Sequence, residues 1–342
     1  MKENVFLADC AAEEVDAIAA ELMYDSQPFV ICSHISNWKR TGLLSELRRY
    51  GVYFRVGFQY FLHRSSKKAI VGWQQFYALI FCFFCSFFSV KKSTFVLALN
   101  FTYKKKRGAL GILYRWFMGK CVDPRYLDYI HVLSEQYADA VAEAFHYPRS
   151  RILVSVFGVN DDYPKYAGLP VPVGYEKDGY ALAIGRSNRD YDFLIRAWKG
   201  IDYPLVIISD TYTGTSDSEN VVIWNNVAGK ASYPWIAHCG LMVLPIDDGG
   251  ICSGDTVLLT SMAVKRKIIV TVPSTLAEMY LEDGKNALLA PKEEAAFRSV
   301  VIKALTDERF AAIGEQARID FLNRLSRKNM GRQINRLIAR EQ

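Results

Sequence analysis

Residues Leu241–Thr271 read LMVLPIDDGGICSGDTVLLTSMAVKRKIIVT, and this stretch indicates the fold most clearly. It begins with an apolar run typical of a buried strand. It continues through a polar loop into a helix and then a second apolar strand. The loop supplies Gly249, Gly250, Ser253 and Gly254 just before the helix. A strand, a helix and a second strand form a βαβ unit, which belongs to a parallel sheet.

The same alternation runs through the rest of the chain and predicts two domains. A length of 342 residues suits two cores of about 150 residues each, and the Pro- and Gly-rich residues 160–179 predict a linker. The predicted strands are residues 28–33, 52–56, 94–99, 129–133, 152–156, 180–184, 204–209, 220–224, 241–245 and 267–272. The predicted helices are residues 41–50, 135–145, 191–199 and 256–264, with an outer amphipathic helix before Pro28.

These elements predict an α/β protein with two Rossmann-like, doubly wound domains that face each other across a cleft. The N-terminal domain is expected over residues 1–165 and the C-terminal domain over 175–325, with a helix over 326–342. Ligands in such sheets bind at the carboxyl ends of the strands.

Composition narrows the class of protein. The chain carries a net charge of +6 and seven cysteines, an odd number that sits mostly in apolar runs and indicates a reducing cytosol. Its first residues lack the apolar region of a secretory signal. Basic residues concentrate in the first third of the chain, where they could contact anionic lipid headgroups or simply form a solvated surface. A nucleic-acid site would need interleaved aromatic residues on a known module, and no nucleic-acid partner is expected.

Residues 69–90 contain no charged residue and many Phe side chains, and Lys pairs flank them on both sides. The length is that of a membrane span. A span would place predicted strands of one sheet on opposite sides of the bilayer, so a helix lying in the membrane surface is favoured. A buried helix and a true span are the alternatives.

The loop before the helix at 256–264 has the composition of a diphosphate site. Free backbone N–H groups at a helix N-terminus, reached through glycines, bind phosphate, and Ser253 and Thr256 add hydroxyl donors. A simple helix cap by Ser253 or Asp255 accounts for the same residues. Asp247 and Asp248 are candidates for hydrogen bonds to sugar hydroxyls, with solvation of the loop as the alternative.

Four segments together resemble family 4 glycosyltransferases and their exopolysaccharide, capsule and lipopolysaccharide relatives. They are HVLSEQYADAV with RILVSVFGVND, YALAIGRSNRDYDFLIRA, PIDDGGICSGDTVLLTSMA and EDGKNALLA. The similarity covers residues 129–325, and the first 128 residues match only by general pattern. The resemblance implies the GT-B fold and a nucleoside diphosphate sugar as donor.

The resemblance also implies roles for particular residues at the donor site. Arg186 and Arg189 would neutralise the leaving diphosphate, Val227 lies in the turn that holds the base, and Gly254 opens the phosphate-binding helix. Asp255 would contact the donor and contribute to catalysis. The family's Glu-x7-Glu pair falls on Cys252 and Thr260, so neither carboxylate is present, although Thr260 keeps its place in the site.

The acceptor side is less clearly marked. His34, at the end of the first predicted strand, is the candidate catalytic base or sugar contact. No cofactor and no metal are expected, because GT-B enzymes usually neutralise the leaving group with side chains and a helix dipole.

The sequence thus predicts a cytoplasmic transferase at the inner face of the cell membrane. It would move a hexose to a glycan, expected to be lipid-linked, in surface polysaccharide synthesis. A catalytically silent GT-B scaffold that partners an active transferase is the alternative. An oxidoreductase is disfavoured, because SHISNWKRTG after the first predicted strand lacks the G-x-G-x-x-G turn.

Overall fold

The computed structural model describes residues 2–36, 43–175, 179–227, 229–251 and 253–339. The chain forms two compact units, of which unit 1 comprises residues 1–157 and 327–342 and unit 2 comprises residues 158–326. Each unit contains one parallel six-stranded sheet. The fold class predicted from the sequence, α/β with two doubly wound sheets, is confirmed.

The described residues in the first stretch of unit 1 form eight strands and five helices. The strands are β1 (Glu3–Ala8), β2 (Met23–Tyr24), β3 (Gln27–Pro28), β4 (Val30–Ser33), β5 (Lys67–Gly72), β6 (Phe95–Ala98), β7 (Tyr129–Val132) and β8 (Ile152–Val154). The helices are α1 (Asp16–Ala19), α2 (Leu43–Leu62), α3 (Gln75–Phe87), α4 (Gly108–Cys121) and α5 (Glu135–Phe145), with 3-10 turns at Ala12–Glu14, Arg64–Ser66 and Arg149–Arg151. The sheet order is β4-β1-β5-β6-β7-β8, and β2 and β3 form a separate hairpin.

Six strands and seven helices are formed by the part of unit 2 that the structure describes. The strands are β9 (Ala181–Ile184), β10 (Leu205–Ile208), β11 (Val221–Trp224), β12 (Leu241–Leu244), β13 (Lys267–Val272) and β14 (Leu288–Pro291). The helices are α6 (Tyr163–Ala167), α7 (Tyr191–Trp198), α8 (Tyr233–His238), α9 (Asp255–Ala263), α10 (Thr275–Tyr280), α11 (Glu294–Thr306) and α12 (Ile313–Asp320), with 3-10 turns at Gly229–Ser232 and Glu308–Phe310 and a π-helical turn at Phe321–Leu325. The sheet order is β11-β10-β9-β12-β13-β14.

The chain then returns to unit 1 as α13 (Arg327–Ala339). Met330, Ile334 and Ile338 recur every four residues and are buried in one core with Ile18 and Leu22 near α1. The sequence-based boundaries at 165, 175 and 326 differ from this division, which runs between residues 157 and 158 and returns helix 327–339 to the first unit.

The central strands are apolar on both faces because helices cover both sides of each sheet. In unit 1, Val5 and Leu7 of β1 belong to one core with α2, α3 and α4. Phe6 and Ala8, which alternate with them, belong to a second core with α1 and α13. Because side chains alternate between the two faces of the sheet, this single strand contributes residues to two cores.

Two predictions for the first sixty residues are wrong. Residues before Pro28 contain the strand β1 near the centre of the sheet, and its run VFLA is a short buried strand rather than an outer helix. The predicted strand 52–56 lies inside α2, which has 20 residues and continues through Gly51. Tyr53, Val56 and Tyr60 are buried at helical spacing, and this period is the signal that distinguishes the helix from a strand.

The segment 69–90 is neither a single interfacial helix nor a span. It enters the sheet as β5, turns at Gln74, whose side chain caps the helix by accepting from the Phe76 N–H, and continues as α3. Tyr77–Cys82 and Cys85 are buried in the core between the sheet and α2. Phe87, Phe88 and Ser89 at its end are exposed. Among the described residues, no helix combines the length and the apolar character that crossing a bilayer requires.

His131 at the end of β7 is a fully buried histidine in a neutral network. Its Nδ1 accepts the Asn100 backbone N–H at 3.3 Å, so the ring proton lies on Nε2 and points to Ser155 Oγ at 2.8 Å. Burial lowers the pKa of His131 to about 4. In the unfolded chain the pKa of this histidine has its ordinary value of about 6.5. Between pH 6.5 and pH 4 the unfolded chain therefore binds a proton at His131, whereas the folded protein does not.

We expect His131 to make the folded protein acid-sensitive. The free energy of unfolding should fall as the pH drops from about 6.5 to about 4, by roughly 3 kcal/mol from this group. In His131→Gln the contribution of this histidine should vanish, so that the free energy of unfolding falls less steeply between pH 6.5 and pH 4. Urea unfolding of both proteins at pH 4.5, 5.5, 6.5 and 7.5 measures it. His63→Gln, which changes an exposed histidine, is the control, and identical pH slopes in all three proteins would contradict the assignment.

Candidate functional site

The strand order of unit 2 has its switch point beside β9. The chain builds outward from β9 to β10 and β11, then crosses back and continues from β12 on the other side. At such a switch point the two loops that leave the carboxyl ends diverge and leave room for a ligand. Here the loops are residues 185–190 after β9 and residues 245–254 after β12, and they hold six of the residues predicted for the site, namely Arg186, Arg189, Asp247, Asp248, Ser253 and Gly254. Asp255 follows as the first residue of α9.

Asn188 fastens these two loops together. Its backbone is left-handed (φ 56°), its Oδ1 accepts the Asp248 N–H at 2.7 Å, and its Nδ2 donates to the Asp248 carbonyl at 3.0 Å. Asn tolerates this backbone region better than most residues. Asn188 is not among the residues predicted from the sequence, although a Ser-Asn pair between a strand and a helix is a turn signal that identifies it.

Arg189 lies between the two loops with its charge unpaired. Its Nη1 donates to the carbonyls of Ser187 at 3.3 Å and Asn188 at 3.1 Å, while its buried Nε has no hydrogen-bond partner among the described residues. None of the described carboxylates forms an ion pair with it, and burial lowers the pKa of its guanidinium. A cation held this way is largely buried and has no ion-pair partner among the described residues, which favours an anionic ligand.

Two glycines make room for this guanidinium. A Cβ at Gly185 would approach Arg189 Nε to 3.1 Å, and a Cβ at Gly254 would overlap Nη2. Gly254 also has φ 108°, a conformation that L side chains rarely adopt. It is the residue before α9, so Arg189 and the N-terminus of that helix meet at one point.

The N-terminus of α9 is capped by no side chain among the described residues. Asp255 begins the helix, and its Oδ1 accepts the Tyr280 hydroxyl at 2.8 Å. Asp255 also acts electrostatically on Arg189. Ser253 and Thr260 are half-buried and Thr256 is exposed, all at this end or on this helix, whereas Cys252 lies outside the described residues.

Arg186 reaches solvent from the end of β9. Its Nε donates to Asp210 Oδ1 at 2.9 Å, and its side chain is 75% exposed. An exposed pair of this kind contributes little to stability, so Arg186 is held loosely and can turn toward a ligand. Val227 follows β11, on the far side of β10, and is half-buried.

The two acidic residues of the loop differ in their surroundings. Asp247 is bound by Lys292, whose Nζ lies 3.0 Å from the Asp247 carbonyl and 2.8 Å from Asp190 Oδ2. Asp248 turns back on its own loop, where its Oδ1 accepts the Gly250 N–H at 2.9 Å. The structure thus brings Arg189, Gly254 and Asp255 together, with Arg186 and Asp248 at the rim, while Asp247 faces Lys292.

The carboxyl edge of the unit 1 sheet carries His34, the residue predicted for the acceptor side. His34 Nε2 lies 3.3 Å from the Tyr60 hydroxyl, and its carbonyl accepts the hydroxyl of Tyr77. Burial, and secondarily Arg55, lowers the pKa of His34, so its ring is neutral near pH 7. Its neighbour Asp9, just after β1, is not predicted from the sequence, because the residues around it suggest a helix.

Asp9 organises the edge beside His34. Its Oδ1 accepts the Ser36 N–H at 2.5 Å, and its Oδ2 accepts the hydroxyls of Ser36 at 2.7 Å and Tyr53 at 3.1 Å. These bonds fix the turn after β4. Within the described part of the chain, no three His, Cys, Asp or Glu side chains are grouped as a metal site would need.

Comparison with known proteins identifies the fold. HepE of Anabaena, solved in complex with UDP, is 13% identical and has a TM-score of 0.64 over 99% of this chain and 100% of its own. Sucrose-phosphate synthase of Thermosynechococcus elongatus is 12% identical with a TM-score of 0.64 over 99% of both chains. The lipopolysaccharide outer core galactosyltransferase WaaB is 13% identical with a TM-score of 0.56 over 99% of this chain and 100% of its own.

No protein-family model and no curated protein matches the chain. The identities to solved structures are low, so the likeness establishes the fold, and membership of family 4 stays a prediction. The two parallel sheets, their strand orders and the agreement over the whole length lead to one conclusion. This chain has the GT-B fold.

Proposed function

We propose that the protein is a glycosyltransferase that takes a sugar from a nucleoside diphosphate sugar. The observation that carries the proposal is Arg189, an unpaired and largely buried guanidinium beside the N-terminus of α9. A diphosphate placed there would receive charge-assisted hydrogen bonds from Arg189 and from the helix backbone. HepE, of the same fold, has been solved with UDP and with UDP-glucose, which makes these the first ligands to test.

Catalysis in this proposal rests on the chain's own charges rather than a metal. As the bond to the diphosphate breaks, negative charge grows on the leaving oxygen. Arg189, Arg186 and the α9 N-terminus stabilise it in place. Asp255 would orient a sugar hydroxyl, Asp247 and Asp248 would contact the donor from the loop, and Val227 would line the base. Ser253, Thr256 and Thr260 would supply hydroxyl groups on and around the same helix.

On the acceptor side we propose a lipid-linked glycan of a surface polysaccharide and transfer of a hexose at the cytoplasmic face of the membrane. His34, neutral at pH 7, would accept the proton of the attacking hydroxyl or bind the acceptor. Unpaired cysteines support a reducing compartment. WaaB, whose name describes a lipopolysaccharide galactosyltransferase, gives an example of such an acceptor on this fold.

A silent scaffold that partners an active transferase is a second candidate, and one observation favours it. Thr260 stands where the family's second Glu is expected, so a carboxylate that would contact the donor is replaced by a hydroxyl. A scaffold of this kind would bind a nucleotide without releasing sugar. Hydrolysis or transfer from a UDP-sugar therefore separates the two candidates.

The first test exchanges the unpaired cation. Arg189→Met should weaken UDP binding by about 100-fold or more, because a charge-assisted phosphate contact is lost. Its Tm should stay equal or rise, since a buried uncompensated charge leaves with it. Titration calorimetry with UDP and a thermal melt measure both. Arg196→Met, which removes a surface arginine paired with Glu294, is the control. Unchanged UDP affinity in Arg189→Met would remove this residue from the site.

The second test fills the space that Gly254 leaves. In Gly254→Ala the added Cβ displaces the guanidinium of Arg189 and strains the backbone, at a cost of about 1–2 kcal/mol. UDP affinity should fall as far as in Arg189→Met, but here the Tm should fall too. Gly168→Ala is the control, because a Cβ there meets no atom within 4 Å. Wild-type UDP affinity in Gly254→Ala would show that the close approach of these two residues is unnecessary.

The third test separates two roles of Asp255. Asp255→Asn keeps an acceptor for the Tyr280 hydroxyl and removes the charge, so sugar transfer should slow while stability is retained. Tyr280→Phe removes the hydrogen bond and keeps the charge, and it should cost about 1 kcal/mol of stability with a smaller effect on turnover. The reverse pattern, full turnover in Asp255→Asn and a large loss in Tyr280→Phe, would assign Asp255 a purely structural role.

A further inference from the structure

Unit 1 contains a long stretch without any negative side chain. Between Glu46 and Asp123 there is no Asp or Glu, whereas residues 47–122 include fourteen Lys and Arg. Some of these pair with acids from elsewhere in unit 1, as Lys67 does with Glu3 and Lys92 with Asp128. Arg48, Arg55, Lys104–Arg107 and Arg115 form no ion pair among the described residues, so this region is strongly positive.

The outer side of α2 in the same region is apolar. Leu44, Leu47, Phe54, Phe58 and Leu62 follow one another at intervals of three, seven, four and four residues, which places them on one face of the helix. Each is between 38% and 75% exposed. The opposite face of α2 already contributes Tyr53, Val56 and Tyr60 to the core. The helix is therefore apolar on two sides, and Leu44, Leu47 and Leu62 on the outer side remain 56–75% exposed.

Helix α4 presents a second apolar face. Leu110, Ile112 and Leu113 are 60–77% exposed, and Trp116 is 48% exposed. These values are high for residues that normally lie in a core. The basic run Lys104–Arg107 directly precedes the helix and is exposed as well.

The end of α3 joins the two faces. Phe83 contacts Trp116 of α4 (6.0 Å between ring centres) and Phe87 (5.7 Å), while Phe84 contacts Phe58 of α2 (4.9 Å). Phe54 of α2 meets Phe117 of α4 at 5.6 Å. The exposed side chains of α2, α4 and the α3 end thus belong to one continuous surface, which we call the α2–α4 face.

The α2–α4 face adjoins the carboxyl edge of the unit 1 sheet. The segments leading to α2, α3 and α4 leave the sheet from β4, β5 and β6, so the N-termini of these helices start at that edge. Leu44, Leu110 and the run Lys104–Arg107 lie at this end, as does His34 after β4. Apolar and positive groups are therefore concentrated near the place where an acceptor is expected.

We propose that the α2–α4 face binds the surface of a membrane rich in anionic lipid. Apolar side chains would enter the boundary between headgroups and acyl chains while the flanking Lys and Arg bind the headgroups. A second copy of this chain fits poorly, because two such faces would oppose positive charge with positive charge. The phosphates of a nucleic acid would bind the Lys and Arg side chains but leave the apolar side chains of the α2–α4 face in contact with water. The added suggestion that this surface presents a lipid-linked acceptor rests on the proposed function.

The test is co-sedimentation of the purified full chain with vesicles in the absence of any sugar donor. Binding is expected with vesicles of phosphatidylcholine and phosphatidylglycerol, and it should weaken in high salt, which screens the charges. Vesicles of phosphatidylcholine alone should bind weakly. K104Q/K105Q/R107Q should lower the affinity for anionic vesicles by about 100-fold, since each basic residue near the surface contributes about fivefold.

The apolar contribution is tested with L110S/I112S/L113S, which changes three exposed side chains. Loss of vesicle binding with unchanged Tm and unchanged UDP affinity supports the proposal. V173S/I302S/I319S makes three comparable changes at exposed positions of unit 2 and should bind vesicles like wild type. UDP affinity measured in parallel keeps this test separate from that of the donor site.

Three results would overturn the proposal. The first is wild-type protein that stays in the supernatant with anionic vesicles. The second is equal vesicle binding by L110S/I112S/L113S and wild type. The third is a dimer in solution that these substitutions dissociate, which would assign the face to a second copy of the chain.

Discussion

The candidate donor site of this protein depends on one unfavourable placement, a largely buried guanidinium that has no ion-pair partner among the described residues. Arg189 can occupy its position because Gly185 and Gly254 have no side chains, and because Asn188 ties the two loops around it. The two glycines leave room for the cation, and Asn188 holds the loops on either side of it. A site organised in this way is poised for an anion, because a bound phosphate would supply the missing charge and offset the cost of burial.

Much of the architecture was predictable because its signals are local. Buried parallel strands occur as short apolar runs, and the predicted bounds of β9, β10, β12 and β13 lie within one or two residues of the observed ones. The errors fall where periodicity is ambiguous. In α2, apolar residues occupy both the inner and the outer face, so a five-residue window resembles a strand. The run VFLA of β1 escapes prediction because the polar residues around it suggest a helix.

The candidate site was predictable only in part. The Gly-rich loop and the two arginines stand out in the sequence, since glycines and a cation directly after a buried strand are typical of an anion-binding loop. The orientation of each side chain did not follow from the sequence. Asp255 contacts Tyr280, and Asp247 contacts Lys292, which directly follows β14. These contacts depend on residues 25 and 45 positions away in the sequence. The family resemblance named positions, but it contained no information on Asn188 or Asp9.

The return of α13 to unit 1 has a consequence for how the protein is made. A ribosome releases residues 158–326 before the helix at 327–339, so unit 2 is complete while unit 1 still lacks its last element. Until then Ile18 and Leu22 have no α13 to pack against, and Glu21 lacks its partner Arg332. While residues 158–326 are being translated, the apolar side chains of unit 1 that α13 covers therefore stay uncovered. They are buried once α13 has been made and packs against them.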